Sequence, residues 1–362
     1  FYHANQFNMA GTGIGTFNDK IRDSLHGGYA GDSPASHRQG FINGLAYDWN
    51  GYFYGERFRT DLRTLTDRLR INLAGSLQNY RLLDQNNIQV DGRSLNGSGY
   101  TRDPQESINY LSKHDNETLF DLNMFKMPLG ESGMAVTSMA ERVRAQNLGL
   151  SLVSLSQGIP FYHMGSDMLR SKSLDRNSYD SGDWFNRVDF TYEDNNFAKG
   201  LPPSWSNQSR WSEMAPMLAN PALKPTKDDI LKSVHHMQEV LKIRKSSKLF
   251  RLETAADIRS RVQFHNTGSG QIDGLIVMSI SDTQAKDLDP NYEKVVVIFN
   301  ASKFAQQWRM PALKGSAVKL HPVQADSYDE VVKTAAFSDE TGEFNVPART
   351  TAVFVVPEKP AA

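Results

Sequence analysis

The sequence predicts an α/β part over residues 1–250 followed by an all-β sandwich over residues 251–362, and three observations carry that prediction. The apolar run Ile108, Tyr110, Leu111 ends abruptly in the polar Lys113, His114, Asp115 and Asn116, and Ile159-Pro-Phe-Tyr-His163 likewise turns polar at Ser166 and Asp167. An amphipathic helical pattern lies between these two runs. Strand, helix, strand is the rhythm of a parallel sheet or barrel, and a barrel places its chemistry at such polar strand ends. Past about Phe250 the apolar residues come instead in short alternating or β-branched runs, Leu275–Ile280, Val295–Phe299 and Thr351–Val355, separated by Gly, Asn, Asp and Pro turns.

Bulk properties agree with a folded chain and exclude several partners. With 39% hydrophobic and 22% charged residues over 362 positions there is enough apolar material for more than one core. Lys plus Arg number 40 against 41 for Asp plus Glu, so no global field attracts nucleic acid or an anionic membrane. The chain has no cysteine, which rules out disulfides and thiolate metal sites but names no compartment. No apolar run approaches the ~20 residues needed to cross a bilayer, and residues 1–20 lack the pattern of a signal peptide. The opening Phe-Tyr-His-Ala-Asn, without an initiating Met, leads us to expect a processed product or an excerpt.

Taken in order, residues 1–60 read as loops around short elements. Gly11-Thr-Gly-Ile-Gly15 has the look of a phosphate loop, but its spacing is not that of a dinucleotide fingerprint and no strand precedes it. Phe17, Ile21 and Leu25 recur at helical spacing behind the capping residues Thr16 and Asn18. Leu62, Leu65, Leu69, Leu73 and Leu77 predict a scaffold helix over 61–83. Residues 84–106 form a polar loop containing Gly92, Gly97 and Gly99, and the strand ending at His114 follows. A second helix is predicted over 135–156 through Val136, Met139, Val143, Leu148, Leu152 and Leu155, with Gly158 as its stop.

Residues 171–211 make a long aromatic and polar excursion, a length uncommon in compact domains unless it binds something. A helix over 228–245 closes the α/β part. After Val262 the pattern is β throughout, although 327–336 has room for one helical turn. Asp287, Asp289 and Asn291 alternate as in a calcium loop, but without the bidentate glutamate such loops use the signal is weak; structural calcium is the one metal the sequence leaves open, and no cofactor is required. His235 and His236 are adjacent on a helix and cannot share a face as zinc ligands, which argues against a metal-dependent hydrolase. No repeat or low-complexity tract is present.

Tyr110-Leu-Ser-Lys-His-Asp-Asn116 resembles the fourth conserved region of the α-amylase superfamily, glycoside hydrolase family 13, in the form used by bacterial pullulanases and limit dextrinases. Asn8 to Asp23 is similar to the segment that follows their catalytic-acid strand. Gln157-Gly-Ile-Pro-Phe161, Leu169-Arg-Ser-Lys172 and Ser178 to Asp189 are similar to their eighth strand and the substrate loop behind it. The match runs from about residue 5 to residue 300. It implies an α/β fold, the last part of a (β/α)8 TIM barrel (about strands 6 to 8 with their helices), followed by an all-β C-terminal sandwich domain. It also implies α-glucan partners such as pullulan and limit dextrin, cleaved at α-1,6 branch linkages with retention, and an extracellular or periplasmic location by analogy.

By the same resemblance Asp115 is the third carboxylate of the site, a transition-state stabiliser. His114, Asn116, Arg176, Asn177 and Tyr179 are the implied substrate contacts. The chemistry suits these types: an oxocarbenium-like transition state favours a fixed carboxylate beside the ring, and His and Asn offer donors and acceptors to hydroxyls. What is missing is as informative. No Gly-Phe-Arg-Phe-Asp phrase with the nucleophile and no Gly-Glu-Gly-Trp phrase with the acid/base occurs, and Glu56 is only a misplaced look-alike. The expectation is therefore a C-terminal portion, inactive alone, whose partner is the missing N-terminal barrel half. The alternative from another class is a non-catalytic α-glucan-binding protein.

Overall fold

The computed structural model describes residues 3–28, 37–45, 47–52, 57–130, 136–283 and 286–358. Strand β1 (Thr16–Phe17) runs into helix α1 (Asp19–His26), where Asn18 accepts the Ile21 N–H at 3.1 Å and Gly27, at φ 88°, ends the helix. This is the short helix expected there. Helix α2 (Phe58–Leu73) buries Leu62, Thr66, Leu69 and Leu73. It does not reach residue 83: Gly75, at φ 74°, turns the chain away, and the apolar spacing continues through Leu77 only by coincidence. The residues beyond form instead a hairpin of β2 (Arg81–Leu83), where the helix was expected to end, and β3 (Gln89–Asp91), inside what reads as a polar loop.

Strand β4 (Ser107–Asn109) sits between β1 and β5 (Ile159–Pro160) in a parallel sheet, with Phe17 opposite Ile108 and Ile108 opposite Ile159. The strands are shorter than the apolar runs suggest: Tyr110 and Leu111 leave the ladder while keeping their apolar contacts, and Phe161 keeps a single N–H bond to the Asn109 carbonyl at 2.8 Å. Helix α3 (Leu119–Lys126) has no counterpart in the sequence reading. All eight of its residues are buried, so it carries no polar stripe to betray a helical period. Helix α4 (Met139–Ser154) starts later than expected because Ser138 and Glu141 form a capping box; Val136 lies outside it, bridged to Leu129, and residue 135 is outside the described residues.

The 171–211 excursion is built of short pieces, including α5 (Gly182–Asn186) and α6 (Ser204–Asn207), and leads into α7 (Trp211–Ala219). Helix α8 (Lys227–Ser246) carries a Thr226–Asp229 capping box. Helix α9 (Ala255–Arg261), unexpected in a β region, precedes β6 (Val262–Phe264), β7 (Leu275–Ser281), β8 (Tyr292–Asn300), β9 (Gln306–Arg309), β10 (Lys319–Leu320), β11 (Ala336–Ser338), β12 (Glu343–Val346) and β13 (Thr350–Pro357). A 3-10 turn at Val332–Thr334 falls within 327–336. These strands form an antiparallel five-stranded sheet, β10-β13-β8-β7-β6, and a three-stranded sheet, β11-β12-β9.

Strands β7 and β8 are buried on both faces. Ile276, Met278, Ile280, Val295, Val297 and Phe299 join one apolar cluster with residues of α2, α4 and α8. Leu275, Val277, Val296 and Ile298 join another with Phe344 and Val346 of the small sheet. A third cluster, around Phe120, Phe125, Phe197 and Met214, supports the 171–211 excursion from below.

Candidate functional site

The segment Lys113–Asn116 leaves the carboxyl end of β4 where burial stops. Tyr110 is fully buried; its hydroxyl takes the Arg22 Nη1–H at 2.6 Å and donates to Asp19, so α1 pins the strand end. Asn116 adopts φ 62°, a left-handed conformation that Asn tolerates. Thr118 then caps α3 by accepting the Asp121 N–H at 3.1 Å. Between a buried strand end and a capped helix, the loop can only turn its side chains outward. The Asp115 side chain is 54% exposed and that of His114 84%.

Lys113 forms an ion pair with Asp115 Oδ2, and His114 Nε2 lies 3.4 Å from Oδ1. The Lys113 hydrogen bond, helped by the charges of Lys113, His114 and Lys172 and opposed by slight burial, holds the Asp115 carboxyl below its ordinary range. A fixed anion is the result. Beside it lies a narrow crevice of about 20 Å³, room for a single water, walled by Arg22, His26, Tyr110, Ser112 and Glu117 as well as Asp115. His26 Nε2 and Ser112 Oγ, both in buried residues, have no hydrogen-bond partner among the described residues. Unsatisfied polar walls favour a polar occupant over an apolar one.

Beneath the loop lies a layer of buried charge that the sequence reading did not single out. Glu117 Oε1 is 3.4 Å from Arg210 Nη1, and the Arg210 guanidinium lies 3.8 Å from the centroid of the Phe125 ring. Arg210 also reaches Glu213 at 3.1 Å, which in turn meets His37 Nε2 at 2.7 Å. Burial pushes the Glu117 carboxyl up to about 7 and that of Asp121 up to about 6; it lowers the Lys126 ammonium to about 7. In the sequence Glu117 follows a polar turn and reads as solvated; only the fold buries it.

Arg176, Asn177 and Tyr179 sit on a second turn. Buried Asp175 organises it, accepting the Asn177 N–H at 2.9 Å, the Ser181 hydroxyl at 2.6 Å and Asn207 Nδ2–H at 3.0 Å. Asn207 returns its carbonyl oxygen to the Arg176 N–H at 3.3 Å. Tyr179, 82% exposed, meets Trp205 edge-on at 5.7 Å between ring centroids. The sequence reading did not select Trp205. Thus His114, Asp115 and Asn116 share one loop, and Arg176, Asn177 and Tyr179 share another. Lys172 joins the two: its ammonium donates to the carbonyl oxygens of His114 and Asn116.

Other sequence features resolve differently. The N–H groups of Gly11 and Gly13 donate to Glu106 Oε1 at 2.7 and 2.9 Å, so a carboxylate of the chain itself fills the concavity that could cradle a phosphate. Glu56 lies outside the described residues. In the candidate calcium loop, Asp287 and Asp289 spend carboxylate oxygens on the N–H groups of Asp289 and Asn291 at 3.1 and 2.9 Å. His235 stacks on Tyr328, whereas His236 Nε2 faces the Asn147 carbonyl at 2.9 Å and the Ser151 hydroxyl at 2.8 Å. Among the described residues no group of three His, Cys, Asp or Glu is placed to hold a metal, and no helix is long and apolar enough to cross a membrane.

Comparison with known proteins gives this geometry a context. Residues 192–357 match the family described as alpha-1,6-glucosidases, pullulanase-type, C-terminal. The chain is 45% identical to the chloroplastic pullulanase 1 of Arabidopsis thaliana, over 98% of its own length and 37% of that protein. It is 35% identical to a pullulanase of Klebsiella pneumoniae, over 99% of its own length and 33% of the relative's. The crystal structure of a Klebsiella pneumoniae pullulanase complexed with maltotriose superposes with a TM-score of 0.92 at 35% identity, covering 100% of this chain and 34% of that one. The chain therefore spans about a third of the length of the relatives it matches.

Proposed function

This chain belongs with the pullulanases as a counterpart of their C-terminal portion, and from that premise we propose that it serves the hydrolysis of α-1,6-glucosidic branch linkages in pullulan, limit dextrins and related α-glucans. Asp115 is the carboxylate that stabilises positive charge at the anomeric centre. The observation that carries this reading is the half-exposed, ionised Asp115 at the carboxyl end of a parallel strand, beside a crevice with unsatisfied polar walls. Hydrolysis with retention needs a nucleophile and an acid/base besides. The phrases that carry them in this family are absent from these 362 residues, so we assign both to the N-terminal part of the barrel.

Each neighbour has work to do in that reaction. Asp115 accepts hydrogen bonds from ring hydroxyls and faces the developing charge without bonding covalently. His114 offers one donor and one acceptor to a hydroxyl, and Asn116 presents its amide to the adjoining glucose. Arg176, Asn177 and Tyr179 extend the groove, Tyr179 by laying an exposed ring against a sugar face.

We assign β1, β4 and β5 to the last three units of a (β/α)8 barrel. Their parallel order supports this, as do two edges that pair with no further strand among the described residues. Phe17 and Phe161, 42% and 43% exposed, meet edge-on at 5.4 Å across that sheet, an apolar surface suited to further barrel strands. The test is to mix the purified chain with pullulan, assay reducing ends, and repeat with the N-terminal barrel half added. Activity only in the mixture is the expected result. Hydrolysis by the chain alone would overturn the assignment of the nucleophile and acid/base elsewhere. The second reading, non-catalytic α-glucan binding, is favoured by the missing phrases alone; it predicts maltotriose binding and no hydrolysis in either mixture.

A further inference from the structure

We propose that Lys172 is a positioning residue for Asp115, clasping the loop that carries it; the inference rests on the role assigned to Asp115 above. Lys172 belongs to a different part of the chain, beyond β5, yet its side chain ends under the 114–116 loop. The residue is 1% exposed. Its ammonium donates to the His114 carbonyl at 3.2 Å and to the Asn116 carbonyl at 2.6 Å. One group thus grips the carbonyls of the two residues that flank Asp115. The left-handed turn at Asn116 is what brings both carbonyls to the same point.

The clasp is reciprocal. Asp121, in the first turn of α3, accepts the Lys172 N–H at 2.7 Å and the Ser171 hydroxyl at 2.5 Å. Ser171 N–H is fixed by the Asn195 carbonyl at 2.8 Å, and Ser173 and Leu174 both take positive φ, at 50° and 68°. The backbone on which Lys172 stands is therefore held at a cost in local conformation. Helix α3 holds the Lys172 backbone, and the Lys172 side chain holds the loop that leads into α3.

Electrostatics fit the same arrangement. An ammonium has three donors and no acceptor, so a buried one needs oxygen partners and compensating anions. Two carbonyls supply the first. Asp121, Asp175 and Glu117 are the nearby carboxylates that oppose the effect of its burial. Because Asp175 also organises the turn bearing Arg176, Asn177 and Tyr179, Lys172 ties the two substrate loops to one cation. A neutral side chain of similar shape would fill the space and release the loop.

A structural strut and a positioning residue differ in whether the effect runs through Asp115, and a double-mutant cycle separates them. With the N-terminal barrel half present, maltotriose affinity is measured by calorimetry for the unsubstituted chain, Lys172→Met, Asp115→Ala and the double variant, and amide hydrogen exchange is followed at residues 114–117 and in α8. We expect Lys172→Met to weaken binding about tenfold, the loss of hydrogen bonds to a charged donor. The double variant should bind no more weakly than Asp115→Ala, and exchange should quicken at 114–117 but not in α8. If Lys172→Met does not fold, Lys172→Gln, which keeps one donor, takes its place. Losses that multiply in the double variant, or exchange at 114–117 that does not change, overturn the inference and leave the proposed function standing. No saturable maltotriose binding by the unsubstituted chain with the N-terminal barrel half present overturns the role of Asp115 itself, and the inference with it.

Discussion

Glu117 and Arg210 form an ion pair closed to solvent beneath the Asp115 loop, Oε1 to Nη1 3.4 Å, with side-chain exposures of 1% and 6%. Such pairs are costly to split, because either partner left alone is a buried unpaired charge. Burial outweighs the opposing pull of the Glu117 N–H and of Arg210, so the carboxyl is raised from 4.5 to about 7. An acid raised in this way binds its proton more tightly when folded. Its contribution to stability is complete below pH 4.5 and fades as pH climbs toward 7.

We therefore expect Glu117→Gln to gain stability relative to the unsubstituted chain between those two pH values, by at most about 1.4 kcal/mol per pH unit. Melting temperatures of both proteins across that window make the comparison. The difference is the quantity to follow, since buried His236 and His321, lowered to about 4, act in the opposite sense in both proteins. A difference that does not vary with pH would mean that Glu117 titrates as an ordinary carboxylate.

If the proposed function holds, Asp115→Ala, assayed with the N-terminal barrel half present, should reduce turnover on pullulan by orders of magnitude. The melting temperature should hardly move, because the side chain is more than half exposed and surface ion pairs contribute little. A near-normal rate would remove Asp115 from the site.

Glu106 ties the Gly11–Gly13 turn to the start of β4, taking three N–H groups at 2.7 to 2.9 Å, the third from Arg102. Burial raises its carboxyl, but the donors of Arg102, Gly13, Gly11 and Asp103 together outweigh this and lower it. The stability it supplies is present above its ordinary range and is lost on acidification. Glu106→Gln should cost ~2 kcal/mol at neutral pH, because the new NH2 group must face an N–H donor. Urea unfolding will measure it; a midpoint unchanged from the unsubstituted chain would show that the turn holds itself.

Asn18 is a buried hub. Its amide reaches Asn109 at 2.7 Å and Ser76 at 2.9 Å, with Asn72 and Ser107 slightly farther off, and its oxygen caps α1. Asn18→Leu takes one donor from each of those acceptors, leaves Asn72 only the Ser76 hydroxyl and Asn109 and Ser76 only that of Ser107, and uncaps the helix, a loss of roughly 2 to 4 kcal/mol. Chemical denaturation with the m-value held fixed is the check, and a loss below that of an exposed substitution would show the network to be redundant.

The two edges of the parallel sheet, which pair with no further strand among the described residues, and the exposed rings of Phe17 and Phe161 should make the isolated chain self-associate. Light scattering during purification reports this. A monodisperse, cooperatively melting monomer would count against that surface being sticky.

Legibility followed polarity. Helices with one wet face, α2, α4 and α8, stand out in the sequence because their apolar residues recur at three and four. Helix α3 is wet on no side and was invisible. Ends were read poorly where a single backbone event decided them, as with Gly75 and the Ser138 cap. At the site, His114, Asp115 and Asn116 were legible because ionisable residues at a strand tip are conspicuous. Glu117, Arg210 and Lys172 were not, since a charged residue gives no local sign of being buried when its partner lies far along the chain. Trp205 is a lone aromatic in a polar stretch, and only the fold sets it against Tyr179.

Strands β7 and β8 answer to two neighbourhoods at once. In each, every second residue belongs to the helices and the residues between belong to the small sheet. Descent would record this as two interleaved histories. Where relatives diverge, Ile276, Met278 and Ile280 should drift in step with α4 and α8, while Leu275 and Val277 keep pace with Phe344. A graft that exchanged the C-terminal sheets between two such proteins would inherit half of each strand's contacts correctly and would have to relearn the other half.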